Sequence, residues 1–477
     1  MTVTRHPSGK RTRSTWLWRA LLAATIVAAA TALLGWYLYR ETGRTPGELM
    51  DYADRRMQGH TRIEKLAAPV MRALRSAFNA PSVAERASLP FVVPPPPPRR
   101  SAAEIPTPAR IPYGTRVWRV SPDGPIRRIA EVARLARNGD IVEIEAGDYH
   151  QDVAVWEQTR LTIRGVGGAA RLLADGRSAE GKAIWVIRRG EFDISNIDFI
   201  GARADDANGA GIRFEGGRLR LRGCLFWNNQ MGLLASDETT PTSELIIEDS
   251  EFAYSYVNNQ RWGHNLYVGK IRSLTVSGSY FHHAGIGHLL KSRAGVNDIR
   301  YNRLTDEIGG RASYELEFPN GGVARVIGNL IQQQSGTENS VIVSFGAEGY
   351  VWPLNTLYLA SNTLINDHPH GGTFLRVARG SDHVITANNL LVGHGGYQVS
   401  DPLTVVNDVR ADWEDLTLPM RQDYRLARPT ARMAYRPLAD GADSARPTAS
   451  AQYVHPHSTK PLANAPAVVG ALQDTTP

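Results

Sequence analysis

The sequence predicts an all-β protein, a right-handed parallel β-helix formed by a single chain, because one pattern repeats along its central region. Between residues 192 and 396, large apolar residues recur at mostly 23 to 29 residues, with one step of 33. Each is the second member of a pair: Asp198-Phe199, Leu225-Phe226, Glu251-Phe252, Tyr280-Phe281, Arg303-Leu304, Leu330-Ile331, Thr363-Leu364 and Leu390-Leu391. From the second pair on, a small polar residue lies two positions before the second member: Cys224, Ser250, Ser279, Asn302, Asn329, Asn362 and Asn389. A fixed period of this length indicates stacked units that bury their apolar faces against one another.

The residues inside each unit favour strands over helices. Gly and Asn mark the turns, and β-branched or aromatic residues lie between them. The small polar residues are expected to stack as a ladder along the bends of successive coils. On this coil period and ladder, residues 112–475 resemble the pectate-lyase-like superfamily of right-handed parallel β-helices. The resemblance implies a polysaccharide partner, since members of that superfamily mostly cleave, epimerise or bind polysaccharides along one face, but it does not choose among those activities.

An apolar run at residues 20–39 predicts a transmembrane helix. Its twenty residues are long enough, at about 1.5 Å each, to span a bilayer core of about 30 Å. Trp16 and Trp18 precede the run and Trp36 lies near its end, as aromatic residues do at membrane interfaces. Basic residues in the segment 1–19 indicate a cytoplasmic N terminus. We therefore expect a single-pass protein of a bacterial inner membrane, with its β-helix in the periplasm.

A cleaved signal peptide is the alternative interpretation of this run. The apolar part of a signal peptide is usually shorter, about 7–15 residues, and small residues follow it at the cleavage site. Here Gly35 is followed by Trp36, Tyr37, Leu38, Tyr39 and Arg40, which are large. The sequence therefore favours an uncleaved anchor.

The basic excess of the chain lies around the predicted membrane segment. The net charge is +7, but residues 1–110 hold 17 Lys and Arg against 7 Asp and Glu, and the remainder holds 37 against 40. The predicted β-helix has no basic stripe and no nucleic-acid-binding motif, so we expect no nucleic-acid partner. Cys224 is the single cysteine of the sequence, which excludes an intrachain disulfide.

The segments that flank the predicted coils differ in composition. Apolar residues at helical spacing within residues 40–92 predict amphipathic helices that lie on the membrane, contact a partner or form a short bundle. The Pro-rich residues 93–111 predict an extended spacer between the membrane and the β-helix. A helix over residues 126–136 is expected to cover the first coil. Residues 423–426 and 468–471 are expected to form the last strands.

Three successive coils can be aligned through their apolar pairs. Leu266, Leu290 and Leu316 precede the next second member by 15, 14 and 15 residues, so we expect them to stack inside. Because strand side chains alternate between faces, the residues on either side are expected to point outwards. This outward set consists of Asn265, Tyr267, Leu289, Lys291, Arg293, Glu315 and Glu317. The same alternation turns the neighbouring His264 and His288 inwards, unless the strands bulge.

The outward set has the residue types needed for β-elimination or epimerisation of a uronic acid polymer. That chemistry needs a base for the proton at C5, a group that neutralises the carboxylate and, for elimination, a proton donor to the leaving oxygen. We expect Lys291 to be the base, Arg293 the carboxylate clamp or acid, and Tyr267 or His288 the proton donor. The expected substrate-binding residues are Asn265, Glu315, Glu317 and His264.

Three members of the set also predict a calcium site. Asn265, Glu315 and Glu317 carry hard oxygen atoms, which Ca²⁺ prefers as ligands. The residue types resemble the Asn, Glu-x-Glu, Lys and Arg set of calcium-dependent alginate and chondroitin lyases with a β-helix fold, which implies that the ion neutralises the uronate. The order differs, since the Lys of those enzymes follows the Glu-x-Glu, whereas residues 318–324 contain no Lys and Lys291 comes earlier.

Other interpretations of the same residues stay open. Lys291 with Glu315 and Glu317 could form cross-strand ion pairs without function. The whole protein could be a noncatalytic β-helix that binds a glycan or a secretion partner near the inner membrane. A hydrolase that uses Glu315 and Glu317 is less favoured, and so is a transition-metal site at His282, His283 and His288, since no family spacing supports it. Neither the sugar nor the oligomeric state follows from the sequence.

Overall fold

The computed structural model places most of the chain beyond residue 90. It describes residues 90–105, 110–236, 241–257, 263–337, 339–368, 371–438 and 448–474, the segment 61–78, and residues 25, 32–37, 46, 47, 49, 50 and 53. Two compact units are distinguished: Met1–Arg86 with Leu418–Asp423, and Ala87–Thr417 with Tyr424–Pro477. In the first unit the longest described element is helix α1, Thr61–Ala77, which contains Pro69 and has an amphipathic pattern.

The predicted membrane anchor lies largely outside the described residues. Among the residues that the structure describes, no helix is both long and apolar enough to cross a membrane.

The second unit consists mainly of short strands. Its helices are α2, Ile129–Leu135, and two short 3-10 helices at Trp413–Asp415 and Ala431–Met433, while a third 3-10 helix, Pro419–Arg421, lies in the first unit. The strands of the chain, in order, are β1 Val117–Val120, β2 Ile141–His150, β3 Ala154–Trp156, β4 Arg160–Leu173, β5 Ala183–Ile187, β6 Glu191–Ser195, β7 Ile197–Ile200, β8 Ala210–Phe214, β9 Arg218–Arg222, β10 Leu225–Trp227, β11 Met231–Ala235, β12 Glu244–Glu248, β13 Glu251–Ala253, β14 Leu266–Val268, β15 Ser273–Ser277, β16 Tyr280–His282, β17 His288–Ser292, β18 Val296–Arg300, β19 Arg303–Thr305, β20 Tyr314–Phe318, β21 Val323–Ile327, β22 Leu330–Gln333, β23 Val341–Phe345, β24 Thr356–Ala360, β25 Thr363–Asn366, β26 Thr373–Val377, β27 His383–Ala387, β28 Leu390–Val392, β29 Gly396–Val399, β30 Leu403–Val406, β31 Val409–Ala411, β32 Leu416–Leu418, β33 Asp423–Leu426, β34 Ala451–Val454 and β35 Ser458–Pro461.

These strands stack as parallel coils. In the described part of the chain, 21 strands form one sheet and ten form another, and the long strands β2 and β4 join two rows within the larger sheet. We call β6, β9, β12, β15, β18, β21, β24, β27 and β30 the first row, and β7, β10, β13, β16, β19, β22, β25, β28 and β31 the second row. The ten-stranded sheet is the third row: β3, β5, β8, β11, β14, β17, β20, β23, β26 and β29. Each coil contributes one strand to each row, which confirms the predicted all-β solenoid.

The bend between the first and second rows has the same backbone conformation in every coil. One residue there is left-handed, with φ between 45° and 66°, at Asn196, Gly223, Asp249, Gly278, Tyr301, Gly328, Ser361, Asn388 and Asn407. This conformation favours Gly, Asn and Asp, which explains most of the residue choice at the bend. From the second of these bends on, the residue that follows the left-handed one belongs to the predicted ladder. For example, the Asn329 carboxamide accepts from the Asn302 backbone N–H at 2.9 Å and donates to Asn362 at 3.0 Å.

The apolar pairs align as the period predicts. Phe226 is opposite Phe199 and Phe252 on neighbouring strands, and Phe281 continues the row. The rings stack at centroid distances of 5.0, 4.4 and 4.8 Å. In the third row, Leu266, Leu290 and Leu316 lie in register and are buried, which confirms their alignment. These stacks form one continuous core along the coils.

Segments that precede and follow the coils in the sequence form additional elements. Helix α2 contacts β1 and β3, and the Asp152 carboxylate accepts hydrogen bonds from the first two backbone N–H groups of the helix, Ile129 and Ala130. The predicted helix is thus present. Near the C terminus, β34 and β35 pair as an antiparallel hairpin. The predicted strand at 423–426 is present, whereas 468–471 contributes a single bridge between Val468 and Ala434.

The Pro-rich segment contacts the coils directly. The Trp227 indole donates to the Pro94 carbonyl at 3.2 Å, and Arg171 donates to the Pro97 carbonyl at 2.7 Å. Arg100 donates to Asp198 at 2.6 Å. The predicted spacer spans residues 93–111. Its residues 94–100 lie against the second-row side of the solenoid, because coil side chains donate to the Pro94 and Pro97 carbonyls and Asp198 accepts from Arg100.

Candidate functional site

The candidate site lies on the outward face of the third row. Tyr267, Lys291 and Glu317 are in register on β14, β17 and β20, as the alignment of the three coils predicts. Neighbouring strands lie about 4.8 Å apart, so these three side chains form one continuous row. Ser344 and Arg376 follow on the next two coils.

Strict alternation fails at the start of these strands. Leu289 and Leu290 are consecutive, yet both are fully buried and belong to the core. The chain bends there, and the bend brings His288 back to the outward side occupied by Lys291. The strands are thus irregular here, which is the exception under which His264 and His288 were not expected to point inwards. The His288 ring lies 3.1 Å from the Glu317 carboxylate, measured from Nδ1 to Oε2, and its centroid is 4.7 Å from that of His264.

The same bend changes the position of Asn265 and Glu315. Both precede an inward leucine, and both are fully buried instead of facing outwards as expected. The Asn265 carboxamide binds backbone groups of the bend, donating to the carbonyls of Phe252 and His282 at 3.1 and 2.8 Å. Glu315 Oε2 lies 3.4 Å from the Gln333 amide, and burial raises the pKa of Glu315 well above its ordinary value.

The predicted calcium ligands are engaged by different partners. Asn265 Oδ1 accepts from the Ser255 backbone N–H at 3.2 Å, and Glu315 lies beside the Gln333 amide. Glu317 is held on the outward side by His288 and Lys291. Among the described residues as a whole, no group of three His, Cys, Asp or Glu side chains is placed to hold a metal ion.

A chain of ion pairs connects the outward residues. Lys291 Nζ lies 3.0 Å from Glu317 Oε2 and 2.8 Å from Glu348 Oε1. The other oxygen of Glu348, Oε2, accepts from Arg293 Nη2 at 2.7 Å. Arg293 also donates to the Tyr267 hydroxyl at 3.0 Å and to the Asn320 carboxamide. The chain of contacts therefore runs from His288 to Tyr267 through two carboxylates and two cations.

Glu348 is the member of this chain that sequence analysis missed. It lies in the loop between β23 and β24, where the coil period carries no information. Its only signal in the sequence is an acidic residue in the Gly346–Tyr350 stretch that follows a third-row strand.

The protonation state of His264 follows from its hydrogen bond. Its Nδ1 accepts from the His288 backbone N–H at 2.9 Å, so this nitrogen carries no proton. Burial, with the nearby His288 and Lys291, lowers the pKa of His264 well below its ordinary value. His264 is therefore a neutral imidazole with its proton on Nε2.

The two carboxylates of the chain are ionised. Burial alone would raise the pKa of Glu317, but His288 and Lys291 hold it below its ordinary value. Burial likewise opposes ionisation of Glu348, yet Lys291 and Arg293 lower its pKa. The pKa of His288 is lowered by burial, although Glu317 opposes this shift. The site thus combines neutral imidazoles with paired ions.

Exposure increases from one end of the site to the other. His264, His288, Lys291 and Glu317 are buried, whereas Tyr267 is half-buried and the Arg293 and Glu348 side chains are 21% and 44% exposed. A ligand approaching from solvent would meet Tyr267, Arg293 and Glu348 first. Ordinary outward strand residues are solvated, so burial of charged groups on this face marks it as a candidate site.

His282 and His283 do not join this site. They lie at and just after the end of β16 and belong to a second polar cluster, on the second row. Its members are Glu251, Tyr280, His282, His283, Arg303, Thr305 and Glu307. Glu307 Oε1 accepts from Tyr280, Arg303 and Thr305 at 2.5, 3.2 and 2.8 Å. Burial opposes its ionisation, but Arg303 and the two histidines lower the pKa of Glu307 to about 2.

The second polar cluster fixes the protons of its histidines. His283 Nε2 lies 3.0 Å from the Ile308 carbonyl and must donate, and burial lowers the pKa of His283 to about 4, so its Nδ1 accepts. His282 Nδ1 is 2.6 Å from that atom and His282 Nε2 is 3.1 Å from Glu251, so both of its nitrogens donate. His282 therefore links His283 to the Glu251 carboxylate.

Comparison with known proteins gives no further assignment. No model of a known protein family matches the chain, and no curated protein sequence is detectably similar to it.

Proposed function

We propose that the protein acts on a uronic acid polysaccharide, by β-elimination or C5 epimerisation, at the outward face of the third row. The observation that supports this most is the juxtaposition of Tyr267 with Arg293 at the exposed end of a buried ion-pair chain. A proton-transferring hydroxyl and a cation for a carboxylate are the two groups that both reactions need. The parallel coils also present an extended face along which a polymer can lie.

The geometry changes the roles expected from sequence. Lys291 would have to be a neutral amine to act as the base, but its ammonium lies between Glu317 and Glu348, which stabilise the charge. Tyr267 is better placed to exchange protons with a sugar, since it is half-buried and its hydroxyl is 3.0 Å from Arg293 Nε. Arg293 and Lys291 together neutralise the uronate carboxylate, while Glu317 and His288 position Lys291.

The proton transfers balance in both reactions. In elimination, Tyr267 as phenolate takes the C5 proton, the electron pair forms the C4–C5 double bond, and the C4–O bond breaks. The departing oxygen then takes a proton, which the Tyr267 hydroxyl supplies. In epimerisation the C4–O bond stays intact, and a solvent water on the opposite face supplies the proton that returns to C5. The hydroxide left behind takes the proton that Tyr267 had removed. Asn265, Glu315 and a calcium ion have no step in this scheme.

The proposal includes the setting of the site. The coil period, the ladder and the observed parallel rows support a right-handed pectate-lyase-like β-helix. The apolar run at 20–39 and the basic residues before it support an uncleaved single-pass anchor in a bacterial inner membrane, with the coils in the periplasm. A polysaccharide that passes through the envelope would meet the third row there.

A noncatalytic glycan-binding or partner-binding β-helix is the second candidate. Every charge in the candidate site already has an oppositely charged neighbour, which suits a surface that recognises a ligand without chemistry. This function keeps the same residues as a binding face and removes the proton transfers.

The decisive experiment uses the full chain with a panel of uronate-containing polysaccharides. Product formation is followed by the ultraviolet absorbance of unsaturated uronate, and epimerisation by deuterium incorporation at C5 from heavy water. Tyr267→Phe removes only the hydroxyl, and we expect a loss of about 10²- to 10⁴-fold, as for other general acid–base groups. Tyr358→Phe is the control, since Tyr358 lies outside the main core on the first row.

Each outcome separates the candidates. Turnover that Tyr267→Phe abolishes and Tyr358→Phe retains would support the enzyme. Binding of a polyuronate with neither unsaturation nor deuterium incorporation would support the noncatalytic scaffold. Turnover unaffected by Tyr267→Phe would contradict the assignment of the site.

A further inference from the structure

The position of Glu348 has a specific relation to the two cations of the candidate site. One carboxylate oxygen lies 2.8 Å from Lys291 Nζ and the other 2.7 Å from Arg293 Nη2. A carboxylate held by two cations, one through each oxygen, is the geometry that a bound uronate would need in the proposed reaction. Glu348 therefore occupies the space in which a substrate carboxylate would bind.

Glu348 also differs from the other carboxylate of the ion-pair chain. Glu317 is buried at the base of the row beside His288, whereas the Glu348 side chain is the most exposed charged group of the site, at 44%. An anion from solvent could replace Glu348 without disturbing Glu317. Removal of Glu348 would still leave Lys291 with Glu317 as its counter-ion.

The loop that carries Glu348 is fixed by its backbone. The Gly346 and Glu348 N–H groups donate to the Phe318 and Pro319 carbonyls, both at 2.9 Å. The Val351 N–H donates to the Asn320 carbonyl at 3.2 Å, and the Asn320 carboxamide donates to Gly349. Because this loop is attached to the preceding coil at several points, the cations can be uncovered by rotation of the Glu348 side chain alone.

Two further loop contacts limit movement of the backbone. The Trp352 indole donates to the Arg293 carbonyl at 3.2 Å, and the Tyr350 hydroxyl donates to the Ala378 carbonyl at 2.7 Å. Gly346 has a φ of +79°, and a Cβ atom there would overlap the Tyr350 ring. The loop is therefore a rigid support for a movable side chain.

We infer that Glu348 is an internal stand-in for the substrate, whose carboxylate displaces it from Lys291 and Arg293. The inference rests on the proposed function and specifies its ligand: an anionic sugar polymer read through one carboxylate at this pair of cations. Glu348 is a specificity-determining residue, since a neutral polymer gains nothing that compensates for removing it. The resting site excludes neutral glycans and binds uronates by exchange of one carboxylate for another.

The test compares Glu348→Gln with a matched control. Glu248 also bridges two cations, at 2.8 Å from Arg220 and 3.3 Å from Arg222, but it lies on the first row and not on the third-row face. Binding of the full chain to polyuronates and to their carboxyl-reduced, neutral counterparts is measured by calorimetry. We expect Glu348→Gln to lower Kd for the polyuronate about five- to tenfold, more at low salt, because the substrate no longer competes with a tethered anion.

The remaining arms define what contradicts the inference. Glu248→Gln should leave both Kd values unchanged, and Glu348→Gln should leave the affinity for the neutral polymer unchanged. Glu348→Ala, with unfolding followed by circular dichroism, repeats the test if the Gln variant is poorly folded. A Kd for polyuronate that is unchanged or higher in both Glu348 variants would overturn the stand-in role.

Failure of the inference can be told from failure of the proposed function. If the wild-type chain turns over polyuronate and the Glu348 variants bind it no more tightly, the function stands and the stand-in role falls. If neither the wild-type chain nor the variants bind any polyuronate, both fall.

Discussion

The same coils carry two clusters of charged side chains, and the clusters differ in what covers them. In the candidate site on the third row, the Glu348 side chain covers the two cations. Tyr267 and Arg293, at the solvent-facing end of the site, are half-buried. The second polar cluster on the second row is covered by the segments that precede and follow the coils in the sequence. Tyr280 contacts the His455 ring at 5.1 Å on one side, and Phe91 lies against Tyr254 and Tyr256 on the other.

The covers determine what each set of charges can do. Arg303 is buried and Glu307 is half-buried, and they satisfy each other with Tyr280 and Thr305, so their charges hold the structure together. In the candidate site, one partner can leave without stranding a buried charge. Burial of charged residues alone therefore does not identify a functional site; an exposed and replaceable partner does.

The largest expected effect breaks the second polar cluster. Glu307→Gln removes the carboxylate that neutralises buried Arg303, and loss of one partner of a buried ion pair typically costs about 3–5 kcal/mol. We expect this decrease in the free energy of unfolding, measured by urea denaturation, with polyuronate binding unchanged in the folded protein. A decrease below about 1 kcal/mol would contradict the structural role of the second polar cluster, because that is the range of exposed pairs.

The next effect tests the cover contributed by the Pro-rich segment. Arg100 donates to buried Asp198 at 2.6 Å, whereas the adjacent Arg99 makes a pair with Asp148 in which both side chains are 40% and 45% exposed. We expect Arg100→Gln to destabilise the protein by about 2–3 kcal/mol and Arg99→Gln by less than about 1 kcal/mol. Equal effects of the two substitutions in thermal unfolding would mean that the segment is not held by the buried pair.

A smaller effect is expected in the candidate site. Lys291→Met removes an ammonium that lowers the pKa of His288, so His288 can take up a proton beside Glu317, while Glu348 keeps Arg293. We therefore expect a destabilisation of about 1–2 kcal/mol, less than for Glu307→Gln, together with loss of polyuronate binding. Chemical denaturation and calorimetry check the two parts separately. Retained binding would place the carboxylate site elsewhere.

The smallest effect is a pH dependence from the second polar cluster. The pKa of His283 is lowered to about 4 in the folded state from 6.5, so the unfolded chain takes up a proton first as pH falls. Stability is therefore complete above pH 6.5 and decreases as the pH falls towards 4. Partial exposure of the ring reduces the full value of about 3 kcal/mol to about 1–2 kcal/mol. In thermal unfolding, His283→Gln should flatten this part of the profile.

The register of the coils could be predicted from the sequence, but the side chains that cover the candidate site could not. Leu266, Leu290 and Leu316 could be aligned because each lies at nearly the same distance from a repeated apolar residue, and Tyr267, Lys291 and Glu317 followed with them. Asn265 and Glu315 were assigned to the wrong side, since two successive residues face inwards where the third-row strands begin.

Residues outside the period could not be placed from the sequence. Glu348 comes from a loop whose length varies between coils, so no repeat points to it. The contact between Arg100 and Asp198 spans 98 residues, and Pro-rich composition alone favours an extended chain without stating what it lies against.

The course of the Pro-rich segment affects how the solenoid unfolds. In a stack of repeats, each coil contacts only its neighbours, so the ends can fray independently of the middle. The Pro-rich segment contacts the coils in the reverse of their order in the chain: Pro90 contacts Arg311, Pro94 contacts Trp227 and Arg99 contacts Asp148. Opening the first coil therefore also weakens the contacts between the Pro-rich segment and coils that follow much later in the chain. The described coils should consequently melt as one cooperative block, without the stepwise loss of repeats from the N-terminal end that an unbraced array would show.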